Sequence, residues 1–227
     1  MNRPVFPPGF FDRADDTDDA RFYALDRFVT HVDDAALARI TARHAALDVT
    51  GDVLDLCSSW ITPLAERPAR LVALGMNAAE LEANELAHEV VVHDLNADPA
   101  LPFDDASFDD VICVVSVDYL VRPLEVFAEV ARVLRPGGAF TCSFSNRCFP
   151  TKAIAGWLRT DDRGRCAIVA AYFDATDGFD EPVAEHLDPA APGDPGFVVR
   201  ADRAVSAADA TATVEGSPER PGGTVEP

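Results

Sequence analysis

The sequence predicts an α/β protein with a doubly wound sheet, in which five parallel strands are followed by a C-terminal antiparallel hairpin. From Gly51 onward, short apolar runs alternate with segments of helical periodicity, which is the pattern of parallel strands joined by helical crossovers. The last two apolar runs follow each other with no helical segment between them, so we expect them to pair antiparallel. A chain of 227 residues is long enough for one domain with a well-buried core.

The strands are predicted where short, largely apolar runs stand between turn residues. The five parallel strands are expected at Asp52–Cys57, Arg70–Gly75, Glu89–His93, Phe108–Val115 and Ala139–Phe144. The hairpin strands are expected at Glu181–Leu187 and Gly196–Asp202, with a connection rich in Pro, Gly and Asp between them.

The helices are predicted where apolar residues recur three or four positions apart. Residues 33–47 have this spacing, and Asp33 and Asp34 stand where the positive end of the helix dipole favours them. Asn77 and Glu80 have the spacing of a capping box at the start of another helix. The other helices are expected at Pro63–Arg67, Asn77–Ala87, Leu124–Leu134, Thr151–Leu158 and Cys166–Phe173.

Three regions are expected along the chain. Residues 1–48 form a lead-in and a capping helix, and three aromatic residues are expected to pin the lead-in onto the body: Phe6, Phe10 and Phe11. Residues 49–204 form the main domain. Residues 205–227 hold too few large apolar side chains to offset the entropy of ordering, which predicts a disordered acidic tail.

The charge of the chain is strongly negative. Its 39 acidic and 19 basic residues give a net charge of −20, and Lys152 is the one lysine beside 18 arginines. A dispersed acidic surface poor in lysine predicts a halophilic protein, because high salt screens its self-repulsion; the alternative is an acidic protein without that adaptation. No basic stripe is available for phosphates, so neither nucleic acid nor an anionic membrane is expected as a partner.

The five cysteines indicate the compartment. They are odd in number, contain no C-x-x-C pair, and have no metal-ligand spacing with histidine, so we expect free thiols in a reducing environment and no metal. No apolar signal core opens the sequence, and no apolar run is long enough to span a bilayer. A cytoplasmic protein is therefore predicted, with its oligomeric state left open.

Four segments resemble one known family. They are Gly51–Leu56, Asp94–Asp98, Leu101–Asp109 and Arg132–Gly138. The third has the pattern L-P-F-x-D-x-S-F-D and the fourth the pattern R-V-L-x-P-G-G. Together, they resemble the class I S-adenosylmethionine-dependent methyltransferases, especially the small-molecule branch that is similar to methyltransferase type 11. The resemblance covers about residues 50–145 and implies a Rossmann-like sheet with S-adenosyl-L-methionine as the cofactor.

The resemblance implies a cofactor site outside the carboxyl ends of the strands. Asp55 would face the methionine end of the cofactor, while Asp94 would accept a hydrogen bond from the adenine amino group, with Leu95 beside the ring. The other implied cofactor residues are Cys57, Ser58, Ser59, Gly75, Met76, Asn77 and Ser116. Pro136–Gly138 is expected to be structural, as a helix stop and a tight turn with positive φ.

The chain departs from the family at two places. The segment Cys57–Trp60 has no glycine where the family has a glycine-rich loop, so the donor is bound through altered contacts or is no longer bound. Trp60 is expected either to cover the crevice or to pack in the core. Gly75 stands where the family carries an acid for the ribose hydroxyls, and Asn77 could supply an amide there or cap a helix instead.

Methyl transfer depends mainly on proximity and alignment, and it needs a base only if the acceptor still carries its proton. The candidates for a catalytic role are Asp118, Tyr119 and His31. Weaker candidates for holding an anionic substrate are Asn146, Arg147 and Lys152; the alternative is that these cations are solvated.

The expected function is therefore methylation of an unidentified small molecule. The alternative is a catalytically lapsed relative with a binding or regulatory role. A nicotinamide-dependent oxidoreductase is disfavoured, because G-x-G-x-x-G is absent after the first strand.

Overall fold

The computed structural model describes residues 6–205, which form one seven-stranded sheet in the order β3-β2-β1-β4-β5-β7-β6. The strands are β1 (Asp52–Leu56), β2 (Arg70–Gly75), β3 (Glu89–Val92), β4 (Phe108–Val114), β5 (Leu134–Phe144), β6 (Val183–Leu187) and β7 (Gly196–Asp202). Strands β1 to β5 pair in parallel, and β7 pairs antiparallel with both β5 and β6. The predicted fold class is confirmed, and the strand order reverses between β1 and β4.

Within the described residues, six α-helices accompany the sheet. They are α1 (Asp19–Phe22), α2 (Asp34–Ala46), α3 (Ala78–Glu82), α4 (Pro123–Val133), α5 (Ala155–Leu158) and α6 (Asp162–Ala175). Helix α2 begins after Asp33, whose carboxylate accepts a hydrogen bond from the backbone N–H of Ala36 at 2.8 Å. None of the helices within residues 6–205 is long and apolar enough to cross a membrane.

Several predicted elements differ in the structure. The predicted helix at Pro63–Arg67 is absent, so that prediction was wrong. The segment is short and is followed at once by Pro68, which disfavours helical geometry at the residue before it. In addition, the Pro63 carbonyl accepts a hydrogen bond from a histidine of α2. Helix α3 ends at Glu82 rather than residue 87, and α5 covers only the second half of the predicted 151–158 helix. Helix α1 in the lead-in was not predicted. Strand β5 begins at Leu134 rather than at the predicted Ala139, so Pro136–Gly138 lies within the strand and not in a separate turn. The predicted positive φ is found at Gly137, at +79°, close to an irregularity in the pairing of β5 with β4.

A buried histidine joins α2 to the sheet. His44 is fully buried, its Nδ1 donates to the carbonyl of Pro63 at 2.9 Å, and its Nε2 accepts from the hydroxyl of Ser143 at 2.9 Å. Burial lowers the pKa of His44, so the neutral ring is favoured. Helix α2 is thereby fixed across β5.

The N-terminal strap, residues 6–33, crosses the carboxyl ends of the parallel strands. Its first three phenylalanines, Phe6, Phe10 and Phe11, pack on the main core, as predicted from the sequence, with ring centroids of Phe6 and Phe10 5.1 Å apart. A Cβ at Gly156 would lie 2.4 Å from the Phe10 ring, so glycine there lets the strap approach α5. Residues 1–5 and 206–227, including nearly all of the predicted tail, lie outside the described residues.

Candidate functional site

A large cavity opens at the carboxyl ends of β1, β2 and β4, where the strand order reverses. It holds about 1240 Å³ of empty space, counted out to the open solvent at its mouth. In open α/β sheets this crevice is where ligands bind, because the loops diverge on either side of it. The N-terminal strap forms part of its wall.

All ten residues that the sequence assigned to the cofactor line this cavity. They are Asp55, Cys57, Ser58, Ser59, Gly75, Met76, Asn77, Asp94, Leu95 and Ser116. The structure therefore brings together residues from four separate stretches of the chain. Their role in binding a cofactor stays a prediction.

The loop after β1 explains the glycine at position 75. Cys57 adopts a left-handed backbone with φ of 54°, and the N–H of Ser58 then donates to the carbonyl of Leu74 at 2.8 Å. The Ser58 carbonyl lies so close to Gly75 that a Cβ there would be 2.2 Å from its oxygen. A side chain at position 75, including the acid of the family pattern, is excluded by this loop.

A second strained residue lies opposite, at the end of β4. Val115 is β-branched yet has φ of 47°, and its N–H donates to the carbonyl of Ser143 at 2.7 Å. A left-handed backbone at such a residue costs about 1–3 kcal/mol and typically persists where the surroundings enforce it. Cys57 and Val115 both line the cavity, so two of the left-handed residues lie at the crevice.

Asp55 is buried at the floor of the cavity. Its Oδ2 accepts hydrogen bonds from the hydroxyls of Ser58 at 2.7 Å and Thr62 at 2.6 Å. Burial raises the pKa of Asp55 to about 6, and these two hydrogen bonds oppose that rise. At neutral pH, the group is mostly ionised and presents a negative charge at the end of β1.

Glu80 is a further buried carboxylate on the cavity wall. Its Oε1 accepts from the backbone N–H of Arg27 at 2.6 Å, and its Oε2 accepts from the hydroxyl of Ser59 at 2.9 Å. No lysine or arginine side chain among residues 6–205 forms an ion pair with it. Each carboxylate oxygen can accept a second hydrogen bond, so Glu80 is able to bind hydroxyl groups in the cavity.

Asn77 and Asp94 border the same region. The Asn77 side chain accepts from the N–H of Glu80 at 3.0 Å, which confirms it as the cap of α3, and donates to the carbonyl of Tyr23 at 3.1 Å. One oxygen of Asp94, Oδ1, accepts from the N–H groups of Asn96 at 2.9 Å and Ala97 at 3.2 Å. Its other oxygen makes no hydrogen bond within the described part of the chain.

A buried ion network holds the strap over the cavity. Asp19 of α1 accepts from Arg13 at 2.7 Å and from the Asn96 amide at 2.9 Å, and it lies 3.0 Å from the Lys152 ammonium. Lys152 is fully buried and also donates to the carbonyl of Thr17 at 2.8 Å. The one lysine of the chain therefore ties the strap to the segment after β5.

Trp60 neither fills the cavity nor enters the buried core. Its indole N–H donates to the carbonyl of Val29 at 3.3 Å, and its ring meets that of Phe28 edge-on at 6.3 Å between centroids. The residue is partly buried, and its contacts with Val29 and Phe28 are with the strap. Both expectations for Trp60 were wrong, because the strap supplies a contact that the sequence did not reveal.

The three catalytic candidates lie in different places. His31 and Tyr119 line the cavity, and the Tyr119 hydroxyl accepts from the N–H of Phe149 at 2.8 Å. Asp118 does not line the cavity; it is fully buried, and its Oδ2 has no hydrogen-bond partner among the described residues. Burial raises the pKa of Asp118 to about 8. Contact of Asp118 with a substrate has no support from this placement.

The three substrate candidates after β5 also lie outside the lining. Asn146 and Arg147 are exposed, and the nearest carboxylate to Arg147 belongs to Asp194 at 3.9 Å. Lys152 is used internally by the strap. Their substrate role stays a prediction without a structural contact.

Residues 54–142 match the family model of a methyltransferase domain. The matched stretch runs from β1 into β5 and carries most of the cavity-lining strand ends. A demethylmenaquinone methyltransferase of Clavibacter sepedonicus is 35% identical over 122 residues, and the chain spans about half the length of this curated relative: the aligned part is 50% of each chain.

Solved structures share the methyltransferase fold. A Pyrococcus horikoshii protein aligns with a TM-score of 0.54 and 17% identity over 81% of this chain and 98% of its own. A SAM-dependent methyltransferase of Aquifex aeolicus aligns with a TM-score of 0.53 and 12% identity over 75% and 94%. The [4+2]-cyclase SpnF aligns with a TM-score of 0.51 and 16% identity over 75% and 81%. At these identities the likeness shows the fold alone, and the cyclase illustrates that a fold does not fix a reaction.

Sequence reasoning missed several residues of this cavity. Glu80 was noticed only as a capping-box partner, although its side chain faces the cavity. Arg27 and Phe149 line the cavity from segments without a recognisable motif. Only the path of the strap brings them there, so no local signal could have identified them.

Proposed function

We propose that the protein is an S-adenosyl-L-methionine-dependent methyltransferase that acts on a small molecule. The observation that carries this proposal is the open cavity at the β1–β4 reversal, in which Ser58, Gly75 and Asp94 meet. The match of residues 54–142 to a methyltransferase domain supports it. The named activity of the Clavibacter relative, a methyltransferase, supports the same reaction class.

The residues present fit such a donor. Asp94 offers an unused carboxylate oxygen for an exocyclic amine, with the buried Leu95 beside it. Glu80 offers unused lone pairs to a pair of vicinal hydroxyls, which makes it the substitute for the acid that Gly75 excludes. Asp55 supplies negative charge near the loop at Cys57 and Ser58, where a cationic amino group would be stabilised.

When bound, the donor supplies a methyl group on a positively charged sulfur. The chain's own residues then act mainly by position: they align the acceptor with that methyl group and exclude water. The strap contributes to both, because its ion network at Asp19 and Lys152 holds it across the cavity.

A lapsed protein with a binding or regulatory role is the second candidate. One observation favours it. The N–H of Ser58 donates to the carbonyl of Leu74, so it is not available to hydrogen-bond a ligand in the cavity. Turnover with any acceptor would exclude this alternative.

The setting of the activity is part of the proposal. The net charge of −20 and the near absence of lysine support a halophilic protein of the cytoplasm. The acidic surface supports a small-molecule substrate rather than nucleic acid or membrane. Assays therefore belong in concentrated KCl.

Calorimetric titration of the purified protein with S-adenosylmethionine and S-adenosylhomocysteine tests the proposal. Saturable heat is expected, and its absence at millimolar ligand would overturn donor binding. Glu80→Gln should weaken binding roughly five- to tenfold, since a charged acceptor contributes about 1 kcal/mol more per hydrogen bond than a neutral one. The matched control is Glu82→Gln on the exposed side of the same helix, which should bind as the wild type does.

A further inference from the structure

The outer part of the cavity has an aromatic wall. The ring of Phe149 lies 5.1 Å from that of His31 and 6.0 Å from that of Tyr119, and all three residues line the cavity. Phe22, which is not part of the lining, packs 5.4 Å from Phe149. Tyr23 extends the cluster, 5.0 Å from Phe22. Rings in tilted and edge-on contact leave flat faces and apolar edges, a surface on which a planar ring can stack.

One cation stands against this wall without an anionic partner. The Arg27 guanidinium lies 4.6 Å from the Phe22 ring centroid and 5.9 Å from that of Phe149. It donates only to carbonyls, those of Phe22 at 2.7 Å and Leu25 at 3.1 Å. No carboxylate among residues 6–205 forms an ion pair with it. In a chain of net charge −20, an unneutralised arginine on a cavity wall favours an anionic ligand group.

Three acids of the cavity, Asp19, Asp55 and Glu80, already accept hydrogen bonds from the protein, whereas the His31 imidazole makes none within residues 6–205. Asp19 is held by Arg13 and Lys152, and Asp55 by two hydroxyls. Glu80 accepts from a backbone N–H and a serine hydroxyl. Neither ring nitrogen of His31 hydrogen-bonds any residue of the described chain.

The surroundings of His31 favour its neutral form. Burial lowers its pKa, the carboxylate of Glu80 on α3 raises it, and Arg27 on the strap lowers it. The net direction is downward, so the ring is a proton acceptor at neutral pH. The hydroxyls of Tyr23 and Tyr119 have pKa values raised by burial and remain protonated.

We infer that the outer cavity binds a planar aromatic acceptor with an ionisable hydroxyl, that His31 takes the hydroxyl proton, and that Arg27 stabilises the resulting phenolate. This inference rests on the proposed function. The proton of the hydroxyl passes to a ring nitrogen of His31, giving an imidazolium. With the donor bound, the oxygen–methyl bond would form as the carbon–sulfur bond of the donor breaks, and the sulfur would keep that electron pair. His31 later returns its proton to solvent.

The test uses 1-naphthol as the probe and its saturated analogue, decahydro-1-naphthol, as the matched ligand. The full chain is titrated calorimetrically with each, alone and with S-adenosylhomocysteine. We expect 1-naphthol to bind at least tenfold more tightly. Equal affinities, or no binding of 1-naphthol, would overturn the inference.

Absorption of the naphtholate then reports how the bound probe ionises, without any need for turnover. Bound to the wild-type protein, 1-naphthol should ionise at least one pH unit below the free compound, because the Arg27 charge stabilises the anion and the neutral His31 ring can donate its N–H to it. His31→Asn and Arg27→Gln should each move that midpoint back toward the free value. His186→Asn, on a ring that packs against Phe197 of β7, should leave it unchanged.

The outcomes separate the two proposals. An unshifted midpoint in the wild-type protein, or an unchanged midpoint in both variants, would overturn the inference while donor binding stands. Failure to bind S-adenosylhomocysteine would overturn the proposed function and, with it, the role of His31 in methyl transfer.

Discussion

Restoring the acid of the family pattern at position 75 should damage this protein. A Cβ on residue 75 would lie 2.2 Å from the Ser58 oxygen and 3.2 Å from its carbonyl carbon, whereas ordinary contacts begin near 3.4 Å. The Ser58 carbonyl must therefore retreat by more than an ångström. That movement strains the hydrogen bond from the Ser58 N–H to Leu74 and the left-handed residue Cys57.

The magnitude follows from these contacts. Overpacking a tight interior costs about 1–3 kcal/mol, and loss of one backbone hydrogen bond costs about 1 kcal/mol more. We expect Gly75→Ala to lower the free energy of unfolding by about 2–4 kcal/mol. Gly75→Asp should lower it further, because it also adds a carboxylate near Asp55 and Glu80. Both variants should bind S-adenosylhomocysteine more weakly, since the loop lines the cavity.

Guanidinium unfolding in concentrated KCl, followed by tryptophan fluorescence, measures the stability change, and calorimetry measures binding. Gly196→Ala is the matched control, because a Cβ there meets only the side chain of Leu187, at 3.3 Å or more. If Gly75→Ala unfolds and binds like Gly196→Ala, the packing of Ser58 on Gly75 is refuted. If Gly75→Asp binds the donor more tightly than the wild type does, steric exclusion by the Ser58 carbonyl does not explain why position 75 lacks an acid.

Two further predictions concern buried charges. Lys152→Met should lower the free energy of unfolding by about 3 kcal/mol, because it leaves Asp19 with one buried cationic partner fewer, and should speed tryptic cleavage at Arg21 of the strap. Arg147→Met, at an exposed cation, is the control for both readouts. Asp55→Asn should change how stability depends on pH. Because burial raises the pKa of Asp55 from 3.8 to about 6, the folded wild type holds its proton more tightly, and its stability relative to the variant should fall by about 3 kcal/mol as pH rises across that interval.

Each result has a contrary outcome. Unchanged tryptic cleavage of Lys152→Met would mean that the ion network does not hold the strap. A constant difference in unfolding free energy between wild type and Asp55→Asn from pH 3.8 to 6 would mean that Asp55 is not desolvated in the folded protein.

The exposed segment after β5, residues 146–147, is not part of the cavity lining, which gives no support to its predicted role in substrate binding. Asn146 and Arg147 lie in sequence where a substrate-binding loop was expected, yet neither lines the cavity. Lys152 stood out in the sequence as the single lysine, and it is indeed unusual. Its ammonium group, however, forms ion pairs with Asp15 and Asp19 and donates to the Thr17 carbonyl, so it holds the strap and does not face the cavity.

The sequence by itself determined the fold and the strand ends of the site. Apolar periodicity sets which residues can form strands and helices, and parallel strands end at one edge, so the ten predicted cofactor residues were found on one cavity. Local sequence reasoning wrongly predicted a helix at Pro63–Arg67. In the structure the Pro63 carbonyl of this segment accepts a hydrogen bond from His44.

Only the tertiary structure decided the rest of the cavity. The strap has no strong period, so its course depends on distant contacts: Lys152 with Asp19, and Trp60 with Val29. Those contacts bring His31 and Arg27 to the cavity wall. The need for glycine at position 75 also depends on a distant contact. The Ser58 carbonyl, 17 positions earlier in the chain, leaves no room for a side chain there, and it lies beside Gly75 only when β1 and β2 pair.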